Sequence, residues 1–168
     1  TMKTRTGYHG RFARCSRLTP DEAIEKIKVG EKFIIRFRSN GNFENKFEFD
    51  DLRQGKLFLN ENDIDEVIMK AETMLPTYHF AHVVDDYLMR TTHVVRGEEW
   101  LPSAPKHIQM FAAFGFEAPK YIHTPLIMKK DGDSLRKISK RKDPEASMSY
   151  YDELGYPKVA VIESLMTI

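Results

Sequence analysis

The chain has 168 residues, of which 41% are hydrophobic and 11% aromatic, so it can form a hydrophobic core and lacks the composition of a disordered protein. Its longest apolar run has five residues, which excludes a membrane-spanning helix and predicts that the protein has no membrane partner. Cys15 is the only cysteine. This excludes an intrachain disulfide and a cysteine-rich zinc site built from this chain alone, and makes the cytoplasm the expected compartment.

The net charge of +1 is distributed unevenly along the chain. Residues 1–17 carry five basic side chains and no acidic one, and residues 128–142 carry seven basic side chains against two acidic ones. The remaining residues have a net charge of −9. Basic segments on an acidic body are typical of contacts with polyanions such as phosphates, although two solvated surface loops explain the same charge pattern equally well.

Residues 1–75 read as a mostly β segment with one helix. Thr19-Pro20-Asp21-Glu22 is a capping box with proline at the first helical position, which predicts a helix over 20–28 that ends before Gly30. Stretches rich in phenylalanine and isoleucine predict short strands at 32–38, 43–49, 56–59 and 64–70. We expect residues 1–75 to form a small α+β subdomain.

After Pro76 the pattern changes to alternating helices and strands. Apolar spacing and turn residues predict, in chain order, a helix at 78–89, a strand at 92–95, a helix at 105–114 closed by Gly115, a strand at 121–128, a basic loop at 129–142 with a tight turn at Asp131-Gly132, a helix at 147–154 and an amphipathic helix from Pro157. This alternation favours an α/β fold with a parallel, doubly wound sheet. Because no cap follows the last helix, we expect the chain to be a piece of a larger protein.

Two segments carry residue types that suit specific chemistry. Lys137-Ile138-Ser139-Lys140-Arg141 places three cations and a hydroxyl within five residues, which suits a polyphosphate and the charge that develops on a leaving pyrophosphate. Arg96-Gly97-Glu98-Glu99 follows a predicted strand, at the sheet edge where ligands bind in open α/β folds, and arginine suits a carboxylate there. A solvated loop and a structural ion pair are the alternatives. Glycine-rich phosphate loops and Cys-x-x-Cys pairs are absent, and the six histidines lack the spacing of a helical zinc site.

Taken together, five segments resemble, in order and spacing, the second half of the catalytic core of bacterial-type glutamyl-tRNA synthetase, a class I aminoacyl-tRNA synthetase. They are Pro76–Asp86, Thr92–Trp100, Pro105–His107, His123–Pro125 and Lys137–Arg141, the last resembling the Lys-Met-Ser-Lys-Ser loop of that class. The resemblance implies that residues 76–168 are the second half of a Rossmann-like catalytic core. It also implies that residues 1–75 are part of the acceptor-stem-binding insertion.

The resemblance also implies roles for individual residues. The glutamate-binding positions are Tyr78, His82 and Arg96. The ATP-binding positions are Glu99, Ile127, Lys137, Ile138, Ser139, Lys140 and Arg141, with Lys137 and Lys140 as the catalytic cations. The implied substrates and partners are glutamate, ATP with Mg²⁺ and the glutamate-accepting tRNA. We expect no metal site and no zinc in this chain.

One motif of the family is missing, because no His-x-Gly-His occurs in the 168 residues. In the family this motif belongs to the first half of the nucleotide fold. We therefore expect the N-terminal half of the core and the C-terminal anticodon-binding domain to lie outside this chain, and the chain by itself to be inactive. A non-catalytic tRNA-binding module derived from a synthetase, a glutaminyl-tRNA synthetase and a tRNA-modifying glutamyl paralogue remain as alternatives.

Overall fold

The computed structural model describes residues 7–167. In chain order, its helices and strands are α1 (Pro20–Lys28), β1 (Ile35–Phe37), β2 (Lys46–Asp51), β3 (Gly55–Asn60), β4 (Glu66–Met69), α2 (Tyr78–Leu88), β5 (His93–Gly97), α3 (Ala104–Phe114), β6 (Lys120–Thr124), β7 (Met128–Asp131), β8 (Ser134–Lys137), α4 (Met148–Glu153) and α5 (Lys158–Leu165). No helix within this range is long and apolar enough to cross a membrane.

The central sheet has four strands in the order β3-β2-β6-β5. Strands β5 and β6 are parallel along their whole length, from His93 opposite Lys120 to Gly97 opposite Thr124. Strand β2 joins β6 in parallel at its last residue and forms an antiparallel hairpin with β3. The parallel strands and their connecting helix confirm the predicted α/β class. Because this sheet contains strands from both sides of Pro76, it crosses the predicted boundary between 1–75 and 76–168, and that division stays a prediction.

Helix α3 joins the two parts of the hydrophobic core. Its first residue, Ala104, is buried with Phe49 of β2 and Tyr121 of β6. Further along the same helix, Met110 and Phe111 are buried against Val83 of α2. The sheet, α3 and α2 thus pack in succession, and this packing sets the position of the N-terminal turns of both helices relative to β5 and β6.

Local sequence signals at helix ends are confirmed. In α1, the Thr19 hydroxyl accepts a hydrogen bond from the backbone N–H of Glu22 (3.3 Å), and the Glu22 carboxylate accepts one from the backbone N–H of Thr19 (2.8 Å). Helix α3 ends at Gly115, whose φ of 68° lies in the left-handed region that favours glycine. Both boundaries follow from side-chain chemistry within a few residues.

Two predictions between residues 121 and 142 are wrong. The strand predicted to reach Met128 ends at Thr124, because Pro125 has no N–H with which to continue the ladder. The predicted basic loop instead begins as the antiparallel hairpin β7–β8, which closes at the predicted turn with Gly132 at a φ of 61°. The side chains of these two short strands are mostly charged and exposed, so the sequence has no apolar alternation that would predict them.

Candidate functional site

Arg96 lies near the carboxyl end of β5, directly beside His123 of β6. Its Nε donates a hydrogen bond to Nε2 of His123 (2.9 Å), and its Nη1 lies 3.2 Å from Nδ1 of His107, which lies near the start of α3. The guanidinium carbon also lies 4.8 Å from the centroid of the Tyr121 ring. Parallel pairing of β5 with β6 and the packing of α3 on the sheet therefore hold this guanidinium from several sides.

The imidazole of His107, beside Arg96, is neutral. His107 is fully buried, and burial, with the nearby His82 and Arg96, lowers its pKa to about 2. Arginine has only donors, so Nδ1 of His107 must present its lone pair to Arg96. The Nε2–H of His107 then donates to Nδ1 of His79 (2.9 Å), whose pKa is also lowered, chiefly by burial. The His107 imidazole thus supplies a hydrogen-bond acceptor to Arg96 without neutralising its charge.

Among the described residues, the guanidinium of Arg96 has no direct counter-ion, although the charge of Asp86 lies near it. Within residues 7–167 it forms no ion pair, and its Nη2 atom is buried without a hydrogen-bond partner. Burial lowers the pKa of Arg96, and this effect is only partly opposed by Tyr121, by Tyr78, which also acts through a side-chain hydrogen bond, and by the charge of Asp86. Leaving a partly buried cation with a buried, unsatisfied donor costs free energy unless a ligand supplies the partner. A carboxylate is the group that suits this donor, because its two oxygens accept hydrogen bonds and carry the opposite charge.

Tyr78, at the start of α2, lies on the open side of this cluster. Its side chain is exposed, and its ring lies 4.6 Å from the ring of Trp100 and 6.0 Å from that of His82, onto which it stacks. His82 lies deeper, with Nδ1 at 2.8 Å from a carboxylate oxygen of Asp86 and Nε2 at 3.1 Å from the Tyr121 hydroxyl. The structure thus brings Tyr78, His82 and Arg96 together. Both ring nitrogens of His82 face protein atoms, whereas Tyr78 is open to a ligand.

The residues predicted to bind ATP form a second cluster. The Lys137 ammonium, at the end of β8, contacts the Glu99 carboxylate in the turn that follows β5, and this hydrogen bond lowers the pKa of Glu99. The backbone N–H of Ile138 donates to the carbonyl of Ile127 (2.9 Å). Four of the seven predicted positions therefore meet in pairs. Lys140 and Arg141 are exposed in the turn that follows, and form no ion pair within the described part of the chain.

Asp143 fixes the base of the basic segment. Its carboxylate is buried, although it directly follows the segment 128–142 with its seven cationic residues. It accepts two hydrogen bonds from the guanidinium of Arg136 (2.6 and 2.7 Å) and one from the backbone N–H of Ser139 (2.9 Å), and lies 3.0 Å from the Lys129 ammonium. The hydrogen bonds from Arg136 are the main reason why its pKa is lowered. Arg136 and Lys129 thus have a structural role, and the segment 137–141 lies next to this cluster of ion pairs.

Sequence reasoning missed several residues of the site. His107 and His123 lie in the motifs that carried the family resemblance, but no role was assigned to them. His79 also lies in such a motif, whereas Asp51, which contacts His123, gave no signal because only the sheet brings it near the site. Asp143 had a weak signal as an acid directly after a cationic run. No group of three or more metal-binding side chains occurs among the residues described.

Comparison with known proteins shows the family to which the chain belongs. Residues 2–168 match the family model described as tRNA synthetases class I (E and Q), catalytic domain, the letters denoting glutamate and glutamine. The chain therefore belongs to this family of class I aminoacyl-tRNA synthetases, and the resemblance seen in the sequence is confirmed.

Individual relatives are closely similar over this region. The chain is 56% identical over 166 residues to the glutamate–tRNA ligase of Clostridium beijerinckii and 52% identical over 163 residues to that of Acetivibrio thermocellus, and the alignments include 99% and 97% of the chain. It spans 30% of the length of each of these curated relatives. A crystal structure of a glutamate tRNA ligase from Elizabethkingia meningosepticum in complex with its amino acid matches with a TM-score of 0.65 and 34% identity, over 89% of this chain and 28% of that one.

Replacing the buried His107 should reduce the pH dependence of stability. The unfolded chain takes up a proton as the pH falls through the ordinary histidine pKa of 6.5, whereas folded His107, with a pKa of about 2, does not. Its contribution to the free energy of unfolding is therefore complete above that pH, and declines by about 1.4 kcal/mol per pH unit below it. Urea unfolding at about pH 7.5 and about pH 5.5 should show a smaller loss for His107→Gln than for the unchanged chain. Equal losses would mean that His107 is charged when folded.

Replacing Asp143 should loosen the segment that follows β8. The substitution Asp143→Asn keeps the shape of the side chain but removes the charge that holds Arg136 and Lys129. Limited trypsin digestion should therefore cut several-fold faster after Lys137, Lys140 and Arg141, because local opening becomes easier. Asp133→Asn, at an exposed acid in the β7–β8 turn, is the matched control for charge and should leave the rate unchanged. Equal rates in the two variants would contradict a structural role for Asp143.

Proposed function

We propose that the full-length protein carrying this chain is a glutamate–tRNA ligase, which activates glutamate with ATP and transfers it to tRNA. The observation that carries this proposal is the desolvated Arg96 guanidinium, whose Nη2 has no partner within residues 7–167. A carboxylate of glutamate would complete its hydrogen bonds and balance its charge. Tyr78 lies at the open side of the same cluster and would donate its phenol hydroxyl to the substrate, and His82 would shape the pocket from beneath Tyr78.

The activation step needs no protein nucleophile. A carboxylate oxygen of glutamate attacks the α-phosphorus of ATP, the bond to the bridging oxygen breaks, and pyrophosphate leaves with the electron pair. The protein must hold the two substrates in line and stabilise the negative charge that develops on the phosphate oxygens. ATP enters as its magnesium complex, so the metal arrives on the phosphates.

The second cluster supplies the cations for this step. We assign Lys137 and Lys140 to the departing phosphates, and Ser139 and Arg141 to the same loop. Glu99 and the main chain at Ile127 and Ile138 would contact the nucleoside. Because Lys137 contacts Glu99, this pair would separate when the phosphates draw Lys137 towards them.

The remaining assignments concern the two parts of the chain, the location of the enzyme and the activity of the chain alone. Residues 1–75 would belong to the insertion that binds the tRNA acceptor stem, and residues 76–168 to the catalytic core, in a cytoplasmic enzyme. The chain alone would be inactive, because it carries one phosphate-binding motif and not the His-x-Gly-His motif that faces the same ATP. Positioning supplies about 7–11 kcal/mol in favourable cases, and an incomplete site loses it.

Removing the Arg96 guanidinium should weaken glutamate binding selectively. In a full-length synthetase that carries this segment, Arg96→Ala should raise KM for glutamate about thirty- to several-hundred-fold, because a lost charge-assisted pair costs roughly 2–4 kcal/mol. Arg96→Lys keeps the charge but not the paired donors, and should give an intermediate increase. Glutamate-dependent pyrophosphate exchange measures both effects, and KM for ATP serves as the internal control. An unchanged glutamate KM in Arg96→Ala would refute the assignment.

Removing the Lys140 ammonium should slow the chemical step. Single-turnover adenylate formation by the full-length Lys140→Ala variant should be slower by about 10²–10³, as for the loss of one donor to a developing oxyanion, with a modest change in ATP affinity. Lys130→Ala removes an exposed cation from the neighbouring hairpin and is the control for net charge. If only ATP affinity changed, Lys140 would bind the nucleotide without acting in the transition state.

A further inference from the structure

Asp51 lies at the junction of β2 and β3 and is buried in full beneath His123. One carboxylate oxygen, Oδ1, accepts hydrogen bonds from the backbone N–H groups of Arg53 (3.0 Å) and Gln54 (2.9 Å). The other, Oδ2, lies 2.6 Å from Nδ1 of His123 and accepts a hydrogen bond from the backbone N–H of the same residue (3.0 Å). Burial alone would raise the pKa of Asp51, but these hydrogen bonds outweigh it and the pKa is lowered. The group is therefore an ionised acceptor.

These contacts determine the protonation state of His123. Because Asp51 is ionised, Nδ1 of His123 carries the proton and donates it. Because Arg96 has only donors, Nε2 of His123 carries a lone pair and accepts the hydrogen bond from Arg96 Nε. The imidazole is thus neutral in its Nδ1–H form. Both of its nitrogens are engaged and the side chain is fully buried, so it has no means of touching a substrate.

The orientation of the Arg96 guanidinium depends on this chain of hydrogen bonds. His123 fixes Nε and His107 fixes Nη1, and together they set the plane in which the unpartnered Nη2 lies. We propose that Asp51 and His123 are positioning residues that hold Arg96 in the orientation in which it binds the carboxylate of its substrate. This proposal rests on the proposed function in one respect, namely that the carboxylate is that of glutamate.

A change of Asp51 should act through the imidazole proton. In Asp51→Asn, the side-chain amide can donate to Nδ1 of His123, and the ring proton then moves to Nε2, opposite the Nε–H of Arg96. In a full-length synthetase carrying this segment, KM for glutamate should rise roughly 10–100-fold. A loss of this size in metal affinity or activity is typical when the partners that orient metal-binding histidines are removed. KM for ATP should stay within about twofold. Asp50→Asn makes the same charge change at an exposed neighbour and should have no effect.

Two substitutions of His123 separate positioning from packing. His123→Gln places a carbonyl oxygen near the position of Nε2 and keeps an acceptor for Arg96. His123→Asn places an amide nitrogen near the position of Nδ1, so it keeps the donor to Asp51 and loses the acceptor for Arg96. Glutamate KM should be largely retained in His123→Gln and raised in His123→Asn as strongly as in Asp51→Asn. Equal increases in both His123 variants would overturn the proposal in favour of a purely structural role.

A spectroscopic measurement tests the hydrogen-bond chain Asp51–His123–Arg96, here called the relay, without an activity assay. The ¹⁵N shifts of labelled histidine in the full-length protein, with His123→Gln used for assignment, should show His123 as the Nδ1–H form and, in Asp51→Asn, as the Nε2–H form. An Nε2–H form in the unchanged protein would overturn the relay. If the unchanged enzyme activated no glutamate but showed the Nδ1–H form, the proposed function would fail and the positioning of Arg96 would stand. If it activated glutamate and Asp51→Asn left the glutamate KM unchanged, the relay would fail and the function would stand.

Discussion

The partly buried charge of Arg96, which has no direct ion pair in the described part of the chain, is the constraint to which the rest of the site is arranged. A guanidinium removed from water needs acceptors, and the usual protein acceptor is a carboxylate. Here the acceptors are His107 and His123, both held neutral, so Nε and Nη1 of the guanidinium have partners while the positive charge and the free Nη2 donor remain. A carboxylate in either place would have neutralised Arg96 and removed its attraction for an anionic ligand. The neutral imidazoles therefore keep the site selective for a negatively charged partner.

The buried acidic residues of the two clusters act in different ways. Asp51 binds the far side of His123 and does not contact Arg96, so it sets the ring proton without competing for the guanidinium. In the basic segment, by contrast, the acidic residue contacts the cations directly. Asp143 binds Arg136 and Lys129 directly, and these two cations hold the hairpin and the following turn together. The cations of the segment 137–141 are not bound by Asp143. Of these, Lys137 contacts Glu99 beyond the end of β5, and Lys140 and Arg141 are exposed.

The two clusters meet through the carboxyl end of β5. Arg96 belongs to the first cluster and Glu99, three residues later, to the second, where it contacts Lys137. In open α/β sheets this edge is the place where ligands bind, because several strands end there and loops can converge. An amino acid carboxylate at Arg96 and a nucleotide at Glu99 and Lys137 would thus lie side by side, as a reaction that joins them requires.

Signals within a few residues determined much of what could be predicted from the sequence. The capping box at Thr19, the left-handed glycine at position 115 and the tight turn at Gly132 act locally, and the motifs around Arg96 and Lys137 were sufficient for the family. The hairpin β7–β8 was missed, because its mostly charged and exposed side chains have no apolar alternation.

What only the tertiary structure decided is the contact between distant residues. Asp51, His107 and His123 are separated by 72 residues at the widest, and come together around Arg96 only because β6 pairs with both β2 and β5 while α3 packs across them. No local sequence pattern predicts that these histidines are neutral or that Arg96 has no direct ion pair among the described residues. Both result from burial and from which donors face which acceptors, and these depend on the packed fold as a whole.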